Sequence, residues 1–114
     1  EPRPFVLLVI GRYAAWPELW QPDFLALMNA LHAEQDRMPE WAVCGFGAAQ
    51  VSVLAAAAAL GGHVRVGFEN GLNLPDGTLA RDNADLVASC ADVFGSLALT
   101  PMTAAEARDM SLQA

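Results

Sequence analysis

Lysine is absent from this chain, and six arginines face thirteen acidic residues, for a formal net charge of −7. That balance excludes the basic patch that a nucleic acid or an anionic membrane surface needs. Cysteine is scarce: Cys44 and Cys90 stand 46 residues apart with no CxxC or CxxH spacing, and read as buried thiols rather than a disulfide or metal pair. Such usage fits a reducing, cytoplasmic setting. No apolar run approaches the roughly 18 residues of a membrane span. The longest, Val53–Leu60, is alanine-rich and reads as a buried helix. No secretory signal pattern is visible, and no Ser-His-Asp order suggests a hydrolase. Neither GxGxxG nor GxxxxGK[ST] occurs, which counts against dinucleotide and nucleoside triphosphate sites. The chain opens on Glu1 rather than Met, so the expectation is that residues precede it.

What is present is a globular pattern: 54% of the 114 residues are hydrophobic and 17% charged, with no linker or low-complexity stretch. That length supports one domain and not two full cores. Phe5–Ile10 is a short apolar run, β-branched and aromatic, and predicts a strand buried on both faces as in a parallel sheet. Pro22 then opens a helix whose Phe24, Leu27, Met28 and Leu31 recur at helical spacing, ending before Pro39. A second strand is predicted over 41–46, followed by an alanine-rich helix from about Ala48 to Leu60 that Gly61 and Gly62 stop. A third strand over 63–69 precedes a helix marked by Leu86, Val87, Cys90, Val93 and Phe94, with Asp82 as N-cap and Asp85 three residues on. Thr103 and Glu106 make a capping box for a short terminal helix. Three strand–helix units mean an α/β fold with a parallel sheet and right-handed crossovers. Three strands leave two open edges, so the chain reads as part of a larger α/β protein.

The organising stretch is Gly61–Gly77, GGHVRVGFENGLNLPDG. Read as a strand, His63, Arg65, Gly67 and Glu69 share one face and Val64, Val66 and Phe68 the other. With the apolar face under helices, Arg65 and Glu69 point into an interior, where charge demands a partner or a ligand. Glu69 sits at the carboxyl end of the strand, where α/β proteins place their chemistry. It reads as a metal ligand or general base, and Arg65 as a grip on a carboxylate or phosphate; a structural Arg–Glu pair fits the same residues. Gln50 is placed to reach a ligand or simply to solvate a helix start. Arg12 and Tyr13 follow the first strand and are candidates for substrate contact or for an ordinary loop. His63, at the strand entrance, and His32, at a helix end, read as structural; Trp16, Trp20 and Trp41 read as packing. One carboxylate does not make a zinc site, which needs three or four ligands.

Three segments, PFVLLVIG, WAVCGFGAAQ and GGHVRVGFEN with the LPDGTLARDNADLV that follows, resemble the β-keto acid cleavage enzymes in order and spacing. The resemblance covers most of residues 4–95. It implies a zinc-dependent (β/α)8 TIM-type barrel, of which residues 1–114 are a single segment, the last three strand–helix units. It further implies condensation of a β-keto acid with acetyl-CoA, giving acetoacetate and a new CoA thioester. In that family the zinc is held by a His-x-His pair from an early strand and a Glu from the last strand, which Glu69 matches. Arg65 matches the family's catalytic Arg. The residue after the Glu is commonly an Asp proposed to take a proton, and here it is Asn70. An amide is no base at neutral pH, so Asn70 is expected to orient substrate, or the chemistry differs.

A barrel of this type takes roughly 250 residues, and the His-x-His pair is not in these 114. The resemblance therefore implies a carboxyl-terminal part that is inactive alone, whose partners are the remaining barrel segment, a β-keto acid and acetyl-CoA, within a homo-oligomer. Two other readings stay beside it: a non-catalytic half-barrel that assembles through its open edges, and a small α/β domain binding an anion through Arg65.

Overall fold

The computed structural model describes residues 4–12 and 19–113; Tyr13 and Trp16 lie outside them. Strands Phe5–Ile10 (β1), Glu40–Gly45 (β2) and His63–Val64 (β3) form a parallel sheet in the order β1-β2-β3. Phe5 stands opposite Glu40 and Ile10 opposite Gly45, while Ala42 and Val43 stand opposite His63 and Val64. Helix Gln21–His32 (α1) follows β1, Gln50–Ala59 (α2) follows β2, and Asn83–Ser96 (α3) follows β3, before a terminal helix Ala104–Gln113 (α4). The expected α/β class and parallel sense are therefore present; these three strands do not themselves close a barrel. No helix among the described residues is long and apolar enough to cross a membrane.

Register decides which side chains meet. Val6, Leu8, Trp41, Val43 and Val64 share the face packed by the helices, with Ile10, Phe24, Met28, Val51, Val53, Leu54, Ala57 and Cys90 completing the core. Alanine in α2 lets that helix lie close: Gly45 in β2 faces Val53 so nearly that an added Cβ would sit 2.9 Å from it. Gly61 (φ +88) ends α2 in the left-handed region, and the Gly62 amide donates to Ala57 O at 2.9 Å. A Cβ on Gly62 would fall 2.3 Å from the Trp41 ring, so the turn fixes how that ring packs. The Asp82 carboxylate accepts from the Asp85 amide at 2.9 Å, and Thr103 and Glu106 exchange the two bonds of a capping box, as predicted.

Two expectations are corrected. β2 is buried over Trp41–Gly45, but β1 is buried on one side only: Phe5, Leu7 and Val9 are exposed. β1 is an edge strand among the described residues, and Met102 and Met110 face Phe5 and Leu7 only across an open groove.

The strand expected over 63–69 stops at Val64. The Arg65 amide still donates to Val43 O at 2.9 Å, but the next backbone groups are taken elsewhere. The Gly67 N–H donates to Gln50 Oε1 at 3.0 Å and the Phe68 N–H to Asn83 Oδ1 at 2.9 Å. Side-chain acceptors thus outcompete the ladder, and the chain turns.

Candidate functional site

The turn Gly67–Gly71 closes on itself: the amides of Asn70 and Gly71 both donate to Gly67 O, at 3.1 and 3.3 Å. This curl brings Arg65 and Glu69 together. Four residues of extended strand would separate them by about 13 Å, whereas here Arg65 Nη2 lies 2.5 Å from Glu69 Oε2. In this chain the side chains are 44% and 77% exposed. Arg65 lines a groove with Leu7 and Ala42 on that side of the sheet. An ion pair so exposed contributes on the order of 0.2–1 kcal/mol, too little to explain why the turn takes this shape.

Asn70 is the opposite case. It is 1% exposed, and neither its amide nitrogen nor its amide oxygen has a hydrogen-bond partner among the described residues. A buried polar group left in this state costs about 1–3 kcal/mol. Its backbone is well tied, the Gly47 N–H donating to Asn70 O at 2.7 Å. The turn therefore holds an exposed cation–carboxylate pair beside a buried amide with unused donor and acceptor capacity.

The turn is held by side chains from two helix starts. Gln50, wholly buried, spans it: Oε1 accepts from the Gly67 N–H and Nε2 donates to Gly71 O at 3.2 Å. Gln50 thus neither reaches out to a ligand nor solvates a helix. The signal for this was its setting, AAQVSVL, a lone polar residue among apolar ones. Asn83, whose side chain takes the Phe68 N–H, was not singled out; the hint was a second capping-type residue directly after Asp82, where one N-cap suffices. Gly71 is required by contact, since a Cβ there would lie 2.6 Å from Gly47 O.

The remaining candidates fall away from this turn. His63 Nε2 lies 3.0 Å from Glu40 Oε2, with its ring stacked on Phe5 at 6.0 Å, and His32 Nδ1 lies 2.8 Å from Met28 O. Both are structural, as expected. Cys44 and Cys90 are buried free thiols, and burial pushes the Cys90 thiol up to about 11. Arg12 is exposed just beyond β1. Beyond the site turn, Pro75-Asp76-Gly77 makes the expected tight turn, with Gly77 at φ +89. Hydrogen bonds from Thr78 to the Asp76 carboxylate lower its pKa. An open groove of about 850 Å³ runs along β3, lined by Phe5, Leu7, Val64, Phe94, Met102 and Met110, with Arg65 at its rim.

No three of His, Cys, Asp and Glu converge among the described residues. Glu69 fits a metal site as a single ligand and the residues here do not make a complete one.

Residues 1–112 match the family described as beta-keto acid cleavage enzyme. The chain is 39% identical over 70 residues to the 3-keto-5-aminohexanoate cleavage enzyme of Fusobacterium nucleatum subsp. nucleatum, a match covering 61% of this chain and 26% of that protein. It is 33% identical over 105 residues to the protein of the same name from Acetoanaerobium sticklandii, covering 90% of this chain and 36% of that protein. The chain thus spans about a quarter to a third of the length of these relatives.

Proposed function

The chain belongs to the beta-keto acid cleavage enzyme family, and on that premise we propose that it is the carboxyl-terminal part of a zinc-dependent enzyme of that kind. In this reading its three strands are the last three of a (β/α)8 barrel. The complete protein, a cytoplasmic homo-oligomer, condenses a β-keto acid with acetyl-CoA: the keto acyl group passes to CoA as the new thioester, and the acetyl group leaves in acetoacetate. The observation that carries this is the Gly67–Gly71 turn at the carboxyl edge of a parallel sheet, which gathers Arg65, Glu69 and Asn70 where barrels keep their chemistry.

Each residue takes a role its surroundings allow. Glu69, exposed and carboxylate, supplies one zinc ligand, with the others coming from outside this chain. Zinc, when bound, polarises a substrate keto oxygen as a Lewis acid. Arg65 holds the substrate carboxylate or the negative charge that develops on the reacting oxygen, a task suited to a planar cation with several donors. To do so it exchanges its ion pair with Glu69 for the substrate. Asn70, in the position the family uses for an Asp, has its amide buried here, so it orients substrate only once the turn opens that amide to the site; a carboxamide takes no proton at neutral pH, so the proton passes to another group.

Arg65→Ala in the complete protein is expected to lower kcat/KM for acetyl-CoA-dependent cleavage by about 10²-fold or more. Glu69→Gln is expected to lower bound zinc as well as activity, read by metal analysis of the purified protein. Full zinc content and full activity in Glu69→Gln would remove Glu69 from the site. A second reading, a non-catalytic half-barrel that assembles through its edges, is favoured by the exposed Phe5, Leu7 and Val9 and the open groove beside β3. Cleavage activity absent from the complete protein, together with a defined oligomer of this chain in light scattering, would select it.

A further inference from the structure

We infer that Gln50 is the positioning residue of the site: it sets where Glu69 and Asn70 stand without touching substrate. The inference rests on the function proposed above for what the positioning accomplishes, and on the structure for the positioning itself. Glu69 and Asn70 lie inside a five-residue turn whose two ends are Gly67 and Gly71. Gln50 is bonded to both ends, accepting from Gly67 N–H at 3.0 Å and donating to Gly71 O at 3.2 Å. A single planar amide therefore fixes the span of the turn, and no shorter or purely accepting side chain does both.

The anchor is rigid. Gln50 has no exposed surface, and its neighbours Val51, Val53 and Leu54 belong to the core. The Gly47 N–H, three residues before α2, holds Asn70 O at 2.7 Å, so residues 47–50 grip the turn at three points. The Arg65–Glu69 pair is exposed and contributes little, so it does not supply this order. A ligand or catalytic side chain must be held to within about 0.5 Å to be productive, and the Gln50 amide is what the turn has for that purpose.

Amide hydrogen exchange on the complete protein tests the positioning. In wild type, the Gln50 side-chain amide protons should exchange at least about 100-fold more slowly than those of exposed Gln21, and the Gly67 amide should be protected although it lies outside the strand. Gln50→Met keeps length and removes both bonds. It should lower Gly67 protection about tenfold or more while amides of β2 and α2 change less than twofold. Unchanged Gly67 protection, or an equal fall across the whole chain, would overturn the inference. Should Gln50→Met not fold, the wild-type comparison decides alone: fast exchange of the Gln50 amide protons refutes the clamp. In the complete protein, Gln50→Met should lower kcat about tenfold or more with KM within about twofold, and should cost clearly less in a Glu69→Gln background than alone, since much of its effect passes through Glu69. Additive losses would overturn the role. Absence of cleavage by the wild-type complete protein would defeat the proposed function instead, leaving the exchange pattern to decide the positioning.

Discussion

At the scale of single residues, Asn70 is the most consequential side chain. It carries a buried amide without a hydrogen-bond partner among the described residues, a state that natural cores avoid outside functional sites. Asn70→Asp restores the residue common in the family, and tests what surrounds the amide. With no donor beside it, a carboxylate there is disfavoured, so its folded pKa rises above the unfolded value. Stability is then intact at low pH and lost as pH rises through that raised pKa. Urea unfolding of Asn70→Asp should show a loss of about 2 kcal/mol or more at pH 7, shrinking toward pH 4. Equal stability of the two proteins at pH 7 would mean that the site already presents donors. Cys90 has the same sign. Its pKa is about 11 in the fold, against 9.0 unperturbed, so its contribution is whole below pH 9 and is lost as pH rises toward 11. Asp85 has the other sign. The Arg81 side chain donates to it and holds it down to about 2, so its contribution is present above the unperturbed 3.8 and falls as pH drops toward 2. Asp85→Asn should remove that acid-side loss from a pH series of unfolding midpoints.

At the scale of elements, the helices, their caps and the first two strands were legible, because periodicity and capping residues act locally. Asp82 with Asp85, and Thr103 with Glu106, form the bonds their spacing predicts, while β1 and β2 lie where the apolar runs do. The third strand was misread because HVRVGFE alternates like a strand, and alternation says nothing of who takes each amide. Gln50 and Asn83, 17 residues before and 15 after their targets, take two of them and bend the chain. Those bonds are non-local, so a pattern within the segment does not reveal them. The same bend, and not an extended strand, is what makes the residues named, Arg65 and Glu69, meet. The turn's packing gives its own prediction. Gly71→Ala drives a Cβ against backbone oxygen of Gly47, which no side-chain rotation relieves. It should cost about 1–3 kcal/mol in urea unfolding; an unchanged midpoint would show that the turn is not held against Gly47.

At the scale of the whole molecule, the described residues form a three-stranded parallel sheet that leaves Phe5, Leu7 and Val9 exposed and both outer edges unpaired among those residues. Such a sheet is half of a packed structure. The account therefore predicts that this chain alone is neither a zinc protein nor a catalyst, and that its open face is covered by the remaining barrel. The most direct test is an assay of acetyl-CoA-dependent cleavage of β-keto acids, with zinc analysis, on this chain alone and on the chain joined to the segment bearing the family's His-x-His pair. The account predicts no turnover and no micromolar zinc site in the first, and zinc-dependent release of acetoacetate in the second. Turnover or micromolar zinc binding by the chain alone, or a joined protein that binds zinc and cleaves no β-keto acid, would contradict it.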